Sequence, residues 1–137
     1  MDDLDRRILG ILRRDSRTPY TEIADQVGTS EGTVRNRVER LVDEGIIERF
    51  TVATRTGNVK AMIEVSVAVD VDTADVSGRM AEWNEVDFVW QVSGEADIVM
   101  VVDAADTGAV NDLITKARDL DEVQNTKTRL ILNEQTG

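Results

Sequence analysis

The spacing of the apolar residues changes once along this chain, and that change constrains the fold more than any other feature. In the first part, apolar residues recur at intervals of three and four, which is the period of a helix with one buried face. In the second part, several segments alternate apolar and polar residues, which is typical of half-buried strands. The change falls in a loop over residues 54–58. We therefore place a helical domain at residues 1–53, a linker at 54–60 and a second domain at 61–137.

Three amphipathic helices are predicted in the first domain. Asp2 and Asp3 lie where the dipole of the first helix favours acids, and Gly28 ends a short second helix as a left-handed cap. Ser30 offers an N-cap to the third helix, which Gly45 ends. Residues 46–52 are expected to lead into a two-stranded wing. The apolar faces are Leu4, Ile8, Ile11 and Leu12 in the first helix and Val34, Val38, Leu41 and Val42 in the third.

The second and third helices together have the pattern of a helix-turn-helix. A glycine turn joins them, and the third helix exposes arginine and asparagine side chains. Arginines contact phosphates or guanine edges, and asparagine pairs with adenine. The alternative interpretation is a solvated helix face whose arginines pair with Glu31, Glu39 and Glu44. The candidate DNA-binding residues are Thr21, Thr29, Ser30, Thr33, Arg35, Asn36, Arg37 and Arg40.

Three segments of the first domain resemble the DNA-binding domain of the Lrp/AsnC transcription regulators, also called feast/famine regulatory proteins. They are residues 4–9 (LDRRIL), residues 20–28 (YTEIADQVG) and residues 33–41 (TVRNRVERL), the last followed by Gly45, Ile46 and Ile47. The resemblance extends over essentially the whole chain. It implies a DNA-binding transcription regulator that reads a pseudo-palindromic promoter site as a dimer and regulates amino-acid metabolism.

The second domain is predicted to contain two strand-helix-strand units. The helices begin at Asp72-Thr73 and at Asp106-Thr107. Two such units make a ferredoxin-like βαββαβ antiparallel sheet with both helices on one face. The predicted fold class is therefore α+β, with a winged helix-turn-helix domain preceding the ferredoxin-like domain. Strands are expected over residues 61–69, 86–92, 98–102 and 123–132, with Val69 on the apolar side of the first and Val86, Phe88, Trp90 and Val92 alternating in the second.

The third strand, residues 98–102, is apolar on both faces, and two helices cover only one of them. A second copy of the same sheet is the simplest cover for the other face, and the alternative is the N-terminal domain. The family resemblance favours the second copy, because Lrp/AsnC proteins pair through this sheet. It also implies further assembly into tetramers or octamers.

The loop between the second and third strands is, by its residues alone, an ordinary hairpin connection. The family resemblance implies more, since the corresponding Gly-x-x-Asp loop and the last strand line a pocket for a small metabolite, with an amino acid suspected. Many members carry an aromatic residue immediately before that Asp, where this chain has Ala96. The effector-binding residues implied are Ser93, Gly94, Glu95 and Asp97 in the loop and Thr126 and Thr128 in the last strand.

The chain contains neither cysteine nor histidine. This excludes disulfides, thiolate zinc sites, cysteine nucleophiles and relays through histidine. Asp70, Asp72 and Asp75 lack the order of a calcium-binding loop, so no metal and no cofactor is predicted. The apolar runs are too short to cross a bilayer and the chain starts Met1-Asp2-Asp3, so we expect a cytoplasmic protein with no membrane partner.

The net charge of −11 is unevenly distributed. Residues 1–57 carry ten Arg, no Lys and 11 acids, whereas residues 58–137 carry three Arg, three Lys and 16 acids. The acidity therefore belongs to the second domain and does not prevent the first from approaching DNA. Arg-only basicity and a Lys-poor, Asp-rich surface suggest the cytoplasm of a halophilic archaeon.

Two alternative functions compete with that of a transcription regulator. One branch of the resembled family comprises haem-pathway decarboxylases, which are expected to use histidine, and this chain has none, so we predict that it is not an enzyme. The second alternative is an oligomer that senses an effector and binds DNA little. The arginine-rich third helix argues against it.

Overall fold

The computed structural model describes residues 1–135, which divide into two compact units between Thr54 and Arg55. The first unit contains the helices α1 (Asp3–Arg14), α2 (Tyr20–Val27) and α3 (Glu31–Asp43). Their apolar faces meet in one core, and the predicted faces are confirmed except at Val42. That side chain is 43% exposed, while the neighbouring Leu41 is fully buried.

Each helix of the first unit begins or ends at the residue that local chemistry favours. Asp2 and Asp5 form a capping box, in which each carboxylate accepts a hydrogen bond from the backbone N–H of the other, at 2.9 and 3.1 Å. The Ser30 hydroxyl accepts from the N–H of Thr33 at the start of α3. Gly28 ends α2 with φ 73°, a left-handed conformation that glycine adopts without steric cost.

The predicted two-stranded wing is wrong. In the described chain, residues 46–58 contain no strand, and the N–H of Ile47 folds back to the carbonyl oxygen of Leu41. A wing needs two extended segments that pair with each other. Here one segment is followed by a turn at Gly57, and the next extended residues, from Val59 onward, pair within the sheet of the second unit.

The second unit is a four-stranded antiparallel sheet with two helices, in the strand order β2-β3-β1-β4. The predicted ferredoxin-like βαββαβ arrangement and the α+β class are confirmed. Val69 lies beyond the end of β1 and is fully exposed, which corrects its predicted place on the apolar side of that strand. The elements are β1 (Val59–Val67), α4 (Thr73–Ala81), β2 (Val86–Gln91), β3 (Ile98–Ala104), α5 (Thr107–Arg118) and β4 (Val123–Leu130).

Both helices pack on one face of the sheet and form the core of this unit. Ile63 and Met100 from the central strands lie in one cluster with Val76 of α4 and Leu113 of α5, and all four are buried. The helices begin as predicted, because Asp72 and Asp106 each accept a hydrogen bond from a backbone N–H of the first turn. None of the described helices is long and apolar enough to cross a bilayer.

The alternation predicted for β2 is interrupted by a β-bulge. Val86 pairs with Val102, whereas Phe88 pairs with the preceding residue of β3, Val101. The extra residue reverses the sides, so Val86 packs against the core while Phe88 and Trp90 lie on the opposite face.

We call the sheet face opposite α4 and α5 the open face. Glu64 lies across from Val99 and Met62 across from Val101, and all four side chains are half-buried. Phe88 and Trp90 continue this face onto β2, and each is 50% exposed. The third strand is therefore apolar on both faces as predicted, and its second face remains partly exposed in the single chain.

Candidate nucleic-acid interface and effector loop

The outward side of α3 carries most of the predicted DNA contacts. Asn36 lies directly opposite the buried Val34 and Val38 on the helix, and its side chain is exposed. Arg35 is also exposed, pairs with Glu31 one turn earlier at 2.6 Å, and lies 5.3 Å from the centre of the Tyr20 ring. This cation–π contact holds Arg35 at the edge of α3 that faces α2.

Arg37 lies at the other edge of α3 and contacts the start of α1. Its Nη1 donates to Asp2 at 2.5 Å and to Asp5 at 3.1 Å. The hydrogen bond from the N–H of Asp5, reinforced by Arg37, lowers the pKa of Asp2 from 3.8 to about 2. The same two carboxylates raise the pKa of Arg37, so this guanidinium stays charged. Arg40, one turn further, lies 3.5 Å from Asp5 and is half exposed.

The alternative interpretation of this face is therefore partly correct. Arg35 pairs with Glu31 as that interpretation required. Glu39 and Glu44 form no ion pair with an arginine among residues 1–135, and the partners of Arg37 and Arg40 are instead the acids at the start of α1.

The predicted DNA-binding residues at the turn between α2 and α3 mainly stabilise that turn. The hydroxyls of Ser30 and Thr33 lie 2.9 Å apart, and the Thr29 N–H donates to Ala24 at the end of α2. Thr21 is exposed in the first turn of α2. Ser30 is exposed and Thr29 and Thr33 are half-buried, so this turn presents short hydroxyl side chains beside the exposed face of α3.

Sequence reasoning missed Arg7, which fixes the end of α2. Its two terminal nitrogens donate to the carbonyl oxygens of Val27 and Gln26, each at 3.3 Å. Those carbonyls belong to the last turn of α2, where the helix itself provides no partner. A cation at this end also complements the helix dipole. The only sequence signal was one arginine of the adjacent pair Arg6-Arg7 within a run of charged residues.

The predicted effector loop lies at one end of the sheet and is tied to β1. Asp97 donates its N–H to Val65 and accepts at Oδ2 from the N–H of Val67, both at 2.9 Å. The carbonyl oxygen of Glu95 accepts from the Ser66 hydroxyl at 3.3 Å. Gly94 has φ 110°, and Ser93, Gly94 and Glu95 are exposed.

The last-strand threonines face the helices. Thr126 pairs with Val65 in the sheet, is buried, and accepts from Arg118 Nε at 2.9 Å. Thr128 pairs with Ile63 and is half-buried. Val65 joins the two parts of the predicted site, because it bonds to the loop through Asp97 and pairs with Thr126 on its other side. Within residues 1–135, no group of three or more acidic side chains is arranged to hold a metal ion.

A helix-turn-helix with an exposed Arg/Asn face, followed by an α+β domain, defines a two-domain DNA-binding regulator. Two family models match the chain, an AsnC-type helix-turn-helix domain over residues 1–42 and an Lrp/AsnC ligand binding domain over residues 60–136. The chain belongs to the Lrp/AsnC family and is a transcription regulator of that type.

Relatives and solved structures agree with this assignment. The chain is 35% identical over 133 residues to the HTH-type transcriptional regulator LysM of Sulfurisphaera tokodaii, covering 96% of this chain and 95% of the relative. The structure of AsnC from E. coli has a TM-score of 0.78 at 28% identity, covering 100% and 95%. A feast or famine regulatory protein from M. tuberculosis complexed with L-methionine has a TM-score of 0.85 at 26% identity, covering 99% and 95%.

Proposed function

We propose that this protein binds a pseudo-palindromic DNA site as a dimer, with α3 of each copy in the major groove. The observation that carries this proposal is the exposed face of α3, where Asn36 points directly away from the core and Arg35 and Arg40 flank it. An asparagine at this position is suited to the paired donor and acceptor of adenine, and the arginines to guanine or phosphate. Two copies would read half-sites separated by roughly one helical turn or a multiple of it.

The test is selection of a binding duplex from a random-sequence library, followed by footprinting. We expect symmetric protection of two half-sites. Asn36→Ala should weaken binding to the selected duplex by about tenfold, the low end for one base contact. Asn111→Ala, which truncates an exposed asparagine on α5 of the second unit, is the matched control. A chain that selects no duplex would favour the alternative of an effector-sensing oligomer.

The proposed effector is an amino acid or a related small metabolite held at the loop of residues 93–97. The exposed backbone around Gly94 is suited to a carboxylate, and the carboxylates of Glu95 and Asp97 to an ammonium group. Asp97 uses Oδ2 for Val67, which leaves Oδ1 for a ligand. Support comes from the ligand binding domain that matches this unit and from the L-methionine complex of the M. tuberculosis relative.

Calorimetry with a panel of amino acids tests the effector proposal. We expect one class of amino acid to bind, and Glu95→Gln to weaken that binding. Glu82→Gln, at the exposed end of α4 away from the loop, should leave it unchanged. Equal affinities for the two variants would remove Glu95 from the site.

The proposed partner of the open face is the same face of a second copy, and such dimers would assemble further into tetramers or octamers. The apolar side chains of β2 and β3 on this face support a closed two-fold contact. Because the proposed partner is double-stranded DNA, we also propose a cytoplasmic location.

The acidic second domain bears on how DNA binding depends on salt. With most of the net charge of −11 in residues 58–137, we propose that the protein works in a halophilic cytoplasm. At high salt the gain from released counterions is small, so specific contacts and two-site binding would carry more of the affinity. We expect a shallower salt dependence than basic regulators show. A steep loss of affinity between low and molar salt would contradict this.

A further inference from the structure

Asp5 is the one charged residue buried in the core of the described chain. It is 1% exposed and lies on the same face of α1 as Ile8 and Leu12, which are also buried. A carboxylate in such a place is strongly destabilising unless charged groups and hydrogen bonds compensate it. The groups that compensate the Asp5 carboxylate therefore indicate which part of the domain this residue holds in place.

The compensation for Asp5 comes mainly from α3. Oδ1 accepts from Arg37 at 3.1 Å, Oδ2 lies 3.5 Å from Arg40, and Oδ2 also accepts from the N–H of Asp2. Arg37 has 26% of its side chain exposed, against 52% for Arg40. Arg37 is thus the closely held partner, and Arg40 keeps the freedom to reach a phosphate.

The position of Arg37 on α3 gives this ion pair a geometric effect. Arg37 directly follows Asn36, which points away from the core, and it precedes the buried Val38. A contact from this edge to the start of α1 fixes the rotation of α3 about its own axis. A small rotation of that helix would move Asn36 relative to base edges, whereas phosphate contacts at longer range would change less.

We propose that Asp5 is a positioning residue for DNA recognition, which acts through Arg37 to fix the orientation of the recognition helix. The proposal rests on the DNA-binding function proposed above. It assigns to Arg37 a role in holding α3 and removes it from the residues that contact phosphate or bases. If Arg37 moved to DNA, it would leave Oδ1 of the buried Asp5 carboxylate without its cation, with Arg40 and the Asp2 N–H remaining only at Oδ2, which is strongly unfavourable.

The test compares Asp5→Asn, Arg37→Met and the double variant in the full-length chain. Affinities are measured for a duplex selected by the wild-type protein and for a mixed-sequence duplex, over a range of salt concentrations. Asp3→Asn is the matched control, because it removes the same charge from the same helical turn at an exposed position. Circular dichroism checks that each variant is folded.

We expect Arg37→Met to lose about tenfold in affinity for the selected duplex. Asp5→Asn should lose less, because Asp2 still accepts from Arg37 at 2.5 Å, and the mixed-sequence duplex should bind both variants as before. The double variant should be no worse than Arg37→Met, because that variant already lacks the Asp5–Arg37 contact that Asp5→Asn breaks. The slope of log affinity against log salt should stay at the wild-type value. The Asp3→Asn control should bind like the wild type.

A direct phosphate contact by Arg37 gives a different pattern and would overturn the proposal. Arg37→Met would then reduce the salt slope by about 0.9, and Asp5→Asn would leave affinity equal to or above that of the Asp3→Asn control. If a single variant does not fold, the double variant replaces it, because it leaves no unpaired buried charge. An unchanged salt slope in the double variant would then support the positioning role of Arg37, and a reduced slope would indicate a phosphate contact. A wild-type chain that selects no duplex would overturn both this proposal and the DNA-binding function.

Discussion

The ring of Phe88 stacks on the ring of Trp90, with centroids 5.7 Å apart and planes inclined by 13°. Both rings lie on the open face and are half exposed, so the single chain leaves a large aromatic surface in water. We predict that Trp90→Glu makes the protein monomeric, because the stacked aromatic pair would be lost and a carboxylate would be desolvated in the sheet-to-sheet contact. Analytical ultracentrifugation measures the change.

The control for this prediction is Val69→Glu. It places the same charge at a fully exposed apolar position outside the strands. An unchanged oligomeric state for both variants would mean that the open face is not where copies of the chain meet.

Gly28 and Gly10 should respond oppositely to the same substitution. A Cβ at either position meets nothing within 4 Å, so packing does not decide the outcome. Gly28 has φ 73°, where a side chain costs about 1 kcal/mol, so Gly28→Ala should destabilise the first unit. Gly10 lies inside α1, where alanine is favoured by up to about 1 kcal/mol, so Gly10→Ala should stabilise it. Urea unfolding measures the change in stability for both variants. If both substitutions changed stability in the same direction, the left-handed turn at Gly28 would be contradicted.

Arg7→Gln should destabilise the first unit by about 1 kcal/mol, because two carbonyl oxygens at the end of α2 lose a charged donor. Urea unfolding of the full chain measures the change. Arg6→Gln removes the same charge from the neighbouring exposed position and is the control. If the two variants unfold at the same urea concentration, the hydrogen bonds from Arg7 to Val27 and Gln26 do not contribute to stability.

The stability conferred by Asp2 should depend on pH in a defined window. Its pKa lies at about 2 in the folded protein, below the ordinary value of 3.8, because it accepts from the Asp5 N–H and pairs with Arg37. A lowered folded pKa means that the contribution is complete above 3.8 and is lost as the pH falls toward 2. Asp2→Asn should therefore be less stable than the wild type near neutral pH, with the difference shrinking across this window.

Urea midpoints at several pH values check the Asp2 prediction. Asp3→Asn, which removes an exposed carboxylate from the same turn, separates the effect of the hydrogen bonds from that of net charge. A difference for Asp2→Asn that stays constant as the pH falls would contradict the prediction.

The parts of the fold that could be predicted from sequence are those fixed by local chemistry. Helix starts at Ser30, Asp72 and Asp106 depend on a side chain and an N–H within three residues of each other. The turn at Gly28 depends on one backbone angle. The prediction of a wing was wrong because a strand needs a pairing partner, and the pattern of apolar residues does not reveal whether one is present.

The missed features depend on contacts between elements that are distant along the chain. Asp5 has the helical spacing of a buried position relative to Ile8 and Leu12, yet its charge indicated the surface. The approach of Arg37 and Arg40, 32 and 35 positions away, makes its burial possible. The bulge in β2 could not be predicted either, because the sequence alternates with or without it. Only the pairing with β3 reveals the extra residue.

The order of the strands also bears on misassembly. It leaves β2 and β4 as edges, and an unprotected edge can recruit strands from other chains without limit. Along β4, Lys127 and Arg129 are exposed, and their positive charges repel a second copy of the same edge. The aromatic pair lies on the other edge strand, β2. Growth of the sheet into a fibre is thereby disfavoured at β4, while the apolar part of the open face, on β2 and β3, stays available for association.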